Sequence, residues 1–128
     1  MRNCSISITT TVDGNALETV KKGECVLGLT TARLCYFEKQ AKVCITLEND
    51  ELRIVREGDY TQDLYFVRGK TCEGKLGIGG ADGVIYTNTK KLGYSLTETS
   101  FLLSLHYDLI VGSEPQSMQI RLFAKFTD

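Results

Sequence analysis

The chain has 128 residues, a formal net charge of -1, and 24% charged residues with both signs interspersed. This length predicts a single domain over residues 1–128, large enough to bury one core. The nearly balanced charge argues against a nucleic-acid backbone or an anionic membrane surface as a partner.

The N-terminal residues show no targeting signal. Met1 to Thr11 carries one arginine and no apolar run, and no stretch reaches the roughly 18 consecutive apolar residues of a spanning helix. We therefore expect a cytoplasmic protein that does not bind membranes.

The first strands follow from alternation of apolar and polar residues. Ser5 to Val12 alternates and ends at Asp13-Gly14, a pair that readily adopts the positive φ angles of a tight hairpin turn. Ala16 to Lys22 is predicted to return antiparallel, and Gly23 is predicted to end that strand. The chain therefore begins with a hairpin.

A second hairpin follows a less certain segment. Ala32 to Glu38 favours a strand, although the spacing of its large side chains leaves a helix as the alternative. Val43 to Glu48 and Leu52 to Arg56 flank the turn signal Asn49-Asp50. Alternation in the second of these strands places Arg56 on the apolar side, so its charge is predicted to point inward.

The middle of the chain combines a strand, a glycine-rich segment and a long strand. Tyr60 to Val67 alternates, and the five glycines between Gly74 and Gly83 then predict a mobile loop. The functional alternative is a lid over the mouth of the fold. Val84 to Leu96 changes phase at Lys90-Lys91, which predicts a β-bulge that bends a long strand.

The clearest alternation lies between Ser100 and Phe126. Two runs are predicted to fold as a hairpin around a turn at Ser113 to Gln116, with Gly112 opposite Ser117 and Asp108 opposite Arg121. Its first strand turns six large residues inward: Phe101, Leu103, Leu105, Tyr107, Leu109 and Val111. About nine short strands and a single proline predict an all-β antiparallel meander, closed into a barrel or flattened into a sandwich.

The chain has five cysteines, which is an odd number, and no Cys-x-x-Cys motif. Both facts disfavour a disulfide framework and a zinc site, so we expect free thiols that behave as small buried hydrophobes. Cys44 is the exception, since it falls on the polar side of its strand beside Lys42. There we expect an exposed thiol that is able to react.

No motif predicts catalysis. His106, the single histidine, lies on the polar side of its strand with Asp108 two residues along, and an ordinary solvated histidine is the favoured interpretation over a general base. The glycines at Gly77 and Gly79 lack the third glycine of a dinucleotide site, because Asp82 occupies that position. We expect no enzymatic activity, no cofactor and no metal site.

Four segments resemble the YwiB-like bacterial domain of unknown function: Leu64–Gly69, Tyr86–Leu96, Leu103–Leu109 and Ser117–Leu122. The resemblance covers roughly Glu51 to Phe126. It implies a calycin-like, lipocalin-like barrel of about eight or nine strands. It implies no activity, because the family has no established one.

Four inward residues suggest a binding site within such a barrel. Arg56, Tyr60, Tyr94 and Tyr107 fall on apolar faces, where they would line a pocket for the acidic head of a ligand, or alternatively pack without one. The predicted function is a non-catalytic binding module for a small amphipathic or apolar ligand.

The alternative function is a structural or protein-interaction module with a filled barrel. Such a module would form a homodimer through the outward residues Leu102, Ile110 and Phe123.

Overall fold

The computed structural model describes residues 1–128 and contains ten antiparallel strands. Each strand pairs with its neighbour in sequence, and β1 pairs with β10, so the sheet closes into a barrel. The all-β antiparallel barrel predicted from the sequence is confirmed, with ten strands in place of eight or nine. The strands are β1 (Arg2–Val12), β2 (Asn15–Leu27), β3 (Ala32–Glu38), β4 (Ala41–Glu48), β5 (Glu51–Gly58), β6 (Tyr60–Val67), β7 (Thr71–Ile78), β8 (Ala81–Leu96), β9 (Ser100–Val111) and β10 (Glu114–Phe126).

None of the chain forms a helix that is long and apolar enough to cross a membrane.

The additional strand is the glycine-rich segment, so the predicted mobile loop or lid is wrong. Residues up to Ile78 form β7, and Gly79 and Gly80 make a tight turn into β8 with φ angles of 59° and 83°. A β-carbon at Gly74 would lie 2.5 Å from the carbonyl oxygen of Asp63. Glycine at this position allows the backbones of β6 and β7 to approach closely. The sequence prediction considered only the backbone freedom that glycine loses on ordering, and so it favoured a loop.

The predicted tight turns and the bulge are confirmed. Asp13 and Gly14 have φ angles of 48° and 86°, and Asn49 and Asp50 have φ angles of 54° and 60°. The register between β8 and β9 shifts between Thr89 and Lys91, as expected for a bulge.

Gly23 lies inside β2 and does not end it, contrary to the sequence prediction. A β-carbon at this position would overlap the carbonyl oxygen of Cys35 on β3, so glycine allows the two strands to pair closely. The segment from Ala32 to Glu38 is strand β3, which excludes the helical alternative.

The final hairpin has the predicted faces but another register. Asp108 lies opposite Ser117, four residues before the predicted partner Arg121, which instead lies opposite Ser104. The turn is shorter than predicted, because Gly112 adopts a φ angle of 75° and allows β10 to begin at Glu114. A shift by an even number of residues leaves the same side chains facing inward.

The core is one cluster of 21 buried residues inside the barrel. Phe101, Leu103, Leu105 and Tyr107 from β9 are at most 3% exposed, and each contributes about 1.5–3 kcal/mol of transfer free energy. The ring of Tyr107 packs edge-on against Phe66 at a centroid distance of 4.7 Å. The barrel is therefore filled by side chains across its middle.

The barrel has two ends, and neither is fully covered. We call them the Arg56 end, where β5 meets β6, and the Asp50 end, where β4 meets β5. Inward apolar residues are only partly buried at both ends, such as Leu109 and Met118 at the Arg56 end and Leu27 and Leu96 at the Asp50 end.

Four of the five cysteines form disulfides, which corrects the expectation of free thiols. Cys4 pairs with Cys25, and Cys35 pairs with Cys44, with Cα–Cα distances of 6.2 and 4.2 Å. Cys72 is free. Counting cysteines could not reveal this, because the pairs arise from strand register: β3 and β4 set Cys35 directly opposite Cys44.

Candidate functional site

Two of the four predicted site residues, Arg56 and Tyr60, lie together at the Arg56 end. The guanidinium carbon of Arg56 lies 3.7 Å from the centroid of the Tyr60 ring, and Nη1 donates a hydrogen bond of 2.8 Å to the Tyr60 carbonyl oxygen. The side chain of Arg56 is only 12% exposed. Arg56 therefore points inward, as the strand pattern predicted.

The charge of Arg56 is already matched by two carboxylates. Its Nη2 lies 2.8 Å from Asp59 Oδ1, and its Nε lies 3.4 Å from Glu38 Oε2. Burial disfavours the guanidinium, but hydrogen bonds to Asp59 and Glu38 hold the pKa of Arg56 above its ordinary value. The hydrogen bond from Arg56 in turn lowers the pKa of Asp59. A ligand carboxylate would have to compete with both acidic side chains.

The other two predicted residues lie elsewhere. The hydroxyl of Tyr94 donates a hydrogen bond to Asp50 Oδ1 at the Asp50 end, and this bond raises the pKa of Tyr94. Tyr107 is 3% exposed within the core, where burial raises its pKa to about 12. The structure thus brings together Arg56 and Tyr60 but neither Tyr94 nor Tyr107.

Large concave regions lie on the outside of the barrel. One of about 580 Å³ is lined by outward residues of β3, β4 and β5, and one of about 590 Å³ lies across β5 to β8. Neither includes a residue of the buried cluster. Both regions therefore lie on the wall of the barrel, whereas one of about 380 Å³ lies at the Asp50 end beside Leu27 and Leu96.

The outer face of β9, β10, β1 and β2, which we call the β1–β10 wall, carries a ridge beside a groove. The ridge is formed by long outward side chains of β10: Gln119, Arg121, Phe123 and Lys125. The groove is formed by short outward side chains of β1: Ser5, Ser7, Thr9 and Thr11. The register sets these two rows side by side, with Phe123 opposite Ser7.

An apolar row crosses this wall. Phe123 lies opposite Leu102 on one side and Ser7 on the other, and Ser7 lies opposite Val20. Leu102, Phe123 and Val20 are 43%, 41% and 67% exposed. None of the charged residues flanking this row on the wall forms an ion pair; they are Glu18, Lys22, Arg121 and Lys125.

Ile110 does not belong to this row, although the sequence grouped it with Leu102 and Phe123. It lies eight positions further along β9, roughly 26 Å away for an extended strand, and pairs with Tyr86 and Pro115. Val20 replaces it as the third apolar member. The alternation of β2 does reveal Val20 as outward, but its place beside Phe123 follows only from closure of the barrel.

The polar residues around His106 form two separate contacts. His106 Nε2 lies 3.4 Å from Ser117 Oγ, while Asp108 forms an ion pair of 3.3 Å with Lys90. The hydroxyl that His106 contacts is thus on β10, and Ser104, two residues before His106 on β9, is not its hydrogen-bond partner. No group of three His, Cys, Asp or Glu side chains is arranged to hold a metal ion.

Comparisons with known proteins identify a family and a fold. A family model described as "Domain of unknown function (DUF1934)" matches residues 4–122. The crystal structure of the ywiB protein from Bacillus subtilis is similar, with a TM-score of 0.86 at 19% identity over 99% of this chain and 93% of that chain. No curated protein sequence matches the chain. At this identity the structural likeness shows a shared barrel fold.

Proposed function

Because the chain belongs to the DUF1934 family of domains of unknown function, we propose its function from the geometry of the barrel: a non-catalytic protein-interaction module that self-associates through the β1–β10 wall. The observation that carries the proposal is the ridge of long side chains on β10 beside the groove of short side chains on β1. A filled interior supports it, since a packed barrel offers its outer surface for binding.

The wall is complementary to itself. A two-fold axis parallel to the strands and between β1 and β10 brings Phe123 over Ser7 of a second copy and Leu102 over Val20 of that copy. The same operation sets Arg121 over a threonine and Lys125 over a serine, so no like charges meet. The long side chains of β10 in each copy then pack against the short side chains of β1 in the other copy. Such reciprocal contacts are what an isologous interface requires.

The size of the wall predicts weak association. Four strands are roughly 19 Å wide, and the seven residues from Gln119 to Lys125 are roughly 20 Å long, which gives about 400 Å² of flat surface. Stable complexes commonly bury about 800 Å² on each partner. We therefore expect a dimer that forms only at high protein concentration.

Sedimentation velocity over a wide concentration range tests the proposal. Phe123→Ser removes the centre of the ridge and Ser7→Arg fills the groove, and each is expected to weaken association by about tenfold or more. Tyr86→Ser is the matched control, because Tyr86 is also 41% exposed but lies on β8. A monomer at every concentration, or equal loss in the control, would contradict the proposal.

A small amphipathic ligand is the second candidate function, and the combination of apolar and cationic inward residues at the Arg56 end favours it. Inward apolar residues there are partly buried, including Leu76, Met118 and Ile120. Lys21 also points inward from β2 and forms no ion pair, so it is better suited than Arg56 to receive an acidic head.

Titration with decanoate, followed by NMR, tests this candidate. Decanoate is expected to shift the methyl resonances of Met118 and Ile120, and Lys21→Gln is expected to weaken that effect. Unchanged methyl resonances at saturating decanoate would argue against a ligand at this end.

A further inference from the structure

The two disulfides differ in how far a solvent thiol can reach them. Cys4 and Cys25 are each 1% exposed and belong to the core cluster. Cys35 and Cys44 lie on the outer face of β3 and β4, where Cys35 is 8% exposed and Cys44 is partly exposed. Attack on a disulfide requires access to one of its sulfurs, so only the second pair is open to exchange in the folded barrel.

The Cys35–Cys44 disulfide lies between two concave regions of the wall. Cys44 lines the region of about 580 Å³, and Cys35 lines a neighbouring one of about 370 Å³. Arg33 and Lys42 line both regions. Together these regions flank the disulfide with space large enough for a molecule of tripeptide size.

The charges around the disulfide include two cations without ion-pair partners. Arg33 lies two residues from Cys35 on β3, and Lys42 lies two residues from Cys44 on β4, and neither forms an ion pair. Arg53, in the same region, is already bound to Asp63. Glu24 lies opposite Cys35, whereas the neighbour of Cys44 on β5 is the apolar Val55. Glu48 and Glu57 also line the larger region without an ion pair, and Glu57 lies opposite Lys42, so both signs of charge are present. Arg33 and Lys42, each two residues from a cysteine of the disulfide, are the cations available to the carboxylate of an approaching thiol.

We propose that the Cys35–Cys44 disulfide is a thiol–disulfide exchange site for small thiols that carry a carboxylate. A thiolate attacks Sγ of Cys44, forms a mixed disulfide there, and breaks the bond to Cys35, which leaves as a thiolate. A second thiolate attacks the small-molecule sulfur of that mixed disulfide and releases Cys44. Two thiols are oxidised to one small disulfide, the protein disulfide gains two electrons, and the protons of the two thiols pass to Cys35 and Cys44.

The direction of attack follows from exposure and from charge. Cys44 is the more exposed residue of the pair, and Lys42, two residues away on the same strand, stabilises the incoming anion. On Cys35, Arg33 stabilises the leaving thiolate and offsets the negative charge of Glu24 on the opposite strand. Such exchange is consistent with the cytoplasm expected from the sequence, where accessible disulfides are usually transient.

Reduction by glutathione tests the site in the whole protein. The oxidised protein, with the free thiol of Cys72 blocked beforehand, is incubated with reduced glutathione, quenched in acid, alkylated and mapped by peptide mass spectrometry. Cys35–Cys44 is expected to open about tenfold faster than Cys4–Cys25 while near-ultraviolet circular dichroism stays native. Equal rates for both pairs, or a Cys35–Cys44 bond that resists glutathione until urea unfolds the barrel, would overturn the proposal.

Two variants separate an exchange site from a merely exposed bond. Cys35→Ser is expected to trap glutathione on Cys44 when treated with oxidised glutathione, and failure to form this adduct in folded protein counts against the mechanism. Lys42→Gln is expected to slow reduction by glutathione roughly threefold but not reduction by neutral 2-mercaptoethanol. Lys75→Gln, an exposed change on β7, is the matched control. Equal slowing in the control, or with the neutral thiol, would exclude recognition of the carboxylate.

Discussion

Thr87 and Thr89 point into the barrel from the same strand, but only the hydroxyl of Thr87 has a hydrogen-bond partner. Thr87 Oγ1 donates to the carbonyl oxygen of Tyr65, where β6 and β7 are no longer paired with each other. Thr89 is 0% exposed, and its Oγ1 bonds to nothing. The same side chain is therefore stabilising at one position and costly two residues later.

Replacing these threonines by valine should change stability in opposite directions. Thr89→Val removes an unsatisfied buried hydroxyl and is expected to stabilise the barrel by about 1 kcal/mol. Thr87→Val removes a hydrogen bond and is expected to destabilise it by about 1–2 kcal/mol. Urea unfolding of both variants measures the free energies, and a destabilised Thr89→Val protein would show that its hydroxyl does have a partner.

Two glycines, one in a turn and one within a strand, should respond differently to alanine. Gly112 has a φ angle of 75° in the β9–β10 turn, whereas Gly93 has an ordinary φ angle, and a β-carbon would meet nothing within 4 Å at either position. Gly112→Ala is expected to cost about 1 kcal/mol through backbone strain, and Gly93→Ala is expected to be neutral or slightly stabilising.

Thermal unfolding of both alanine variants checks this difference. Gly112→Asn is the informative control, because asparagine tolerates the left-handed region and should recover part of the loss. Equal effects at positions 112 and 93 would contradict the role assigned to the turn.

The sequence predicted which face of each strand points inward, but it was less able to predict which residues lie opposite one another on paired strands. Alternation places Phe101 and Leu105 inward whatever the hairpin register, so the core of β9 followed from local pattern. The partner of Asp108 depends on whether the turn has two residues or four, and that depends on the conformation of Gly112. Gly74 and Gly77 led to the wrong prediction of a mobile loop. In the structure they allow close contact with β6, and the local sequence pattern does not show this.

The candidate sites depend on contacts between distant strands. Parity showed that Arg56 points inward, but not that Glu38, eighteen residues earlier, binds it. Tyr94 and Tyr107 point inward as Arg56 does, but they lie at different positions along the barrel axis. Alternation predicts which face a side chain is on, but not its position along that axis. The pairing of Cys35 with Cys44 required the register of β3 and β4.

Alkaline pH should weaken the fold through two buried tyrosines. Burial, with a smaller contribution from Glu38, raises the pKa of Tyr36 to about 12, and burial raises that of Tyr107 to about 12 from the ordinary 10.0. Between these values the unfolded chain loses protons that the folded barrel retains. Stability is therefore complete below pH 10 and should fall by about 1.4 kcal/mol per pH unit for each tyrosine until about pH 12.

Urea unfolding at several pH values between 9 and about 11.5 measures this slope. Tyr36→Phe and Tyr107→Phe should each remove roughly half of it, whereas Tyr65→Phe, at a position 41% exposed, serves as the control. A slope that survives the double replacement would point to other groups.

The ion pairs of Arg56 should make stability depend on salt and on acid. Arg56→Met leaves Asp59 and Glu38 without their cation and is expected to lower the unfolding midpoint at low ionic strength, with a smaller effect in high salt. Because the pKa of Asp59 is lowered, the stability from its pair is present above the ordinary aspartate value and is lost as the pH falls below it.

Chemical unfolding of wild type and Arg56→Met at pH 7 and near pH 3 checks both effects. The difference between the two proteins should be smaller in acid than at neutral pH. Arg33→Met, which removes an exposed arginine that makes no ion pair, controls for loss of positive charge. A constant difference at both pH values would attribute the effect of Arg56→Met to packing.

Closure of the barrel places one ladder apart from the other nine. Nine ladders join strands that are consecutive in sequence, whereas β1 and β10 come from opposite ends of the chain. Closing this long loop costs the most chain entropy. The β1–β10 ladder is therefore expected to form last during folding and to open first in the native state. A second molecule bound across Phe123 and Ser7 would cover the β1–β10 ladder. Dimer formation would then slow the opening of this ladder in each subunit.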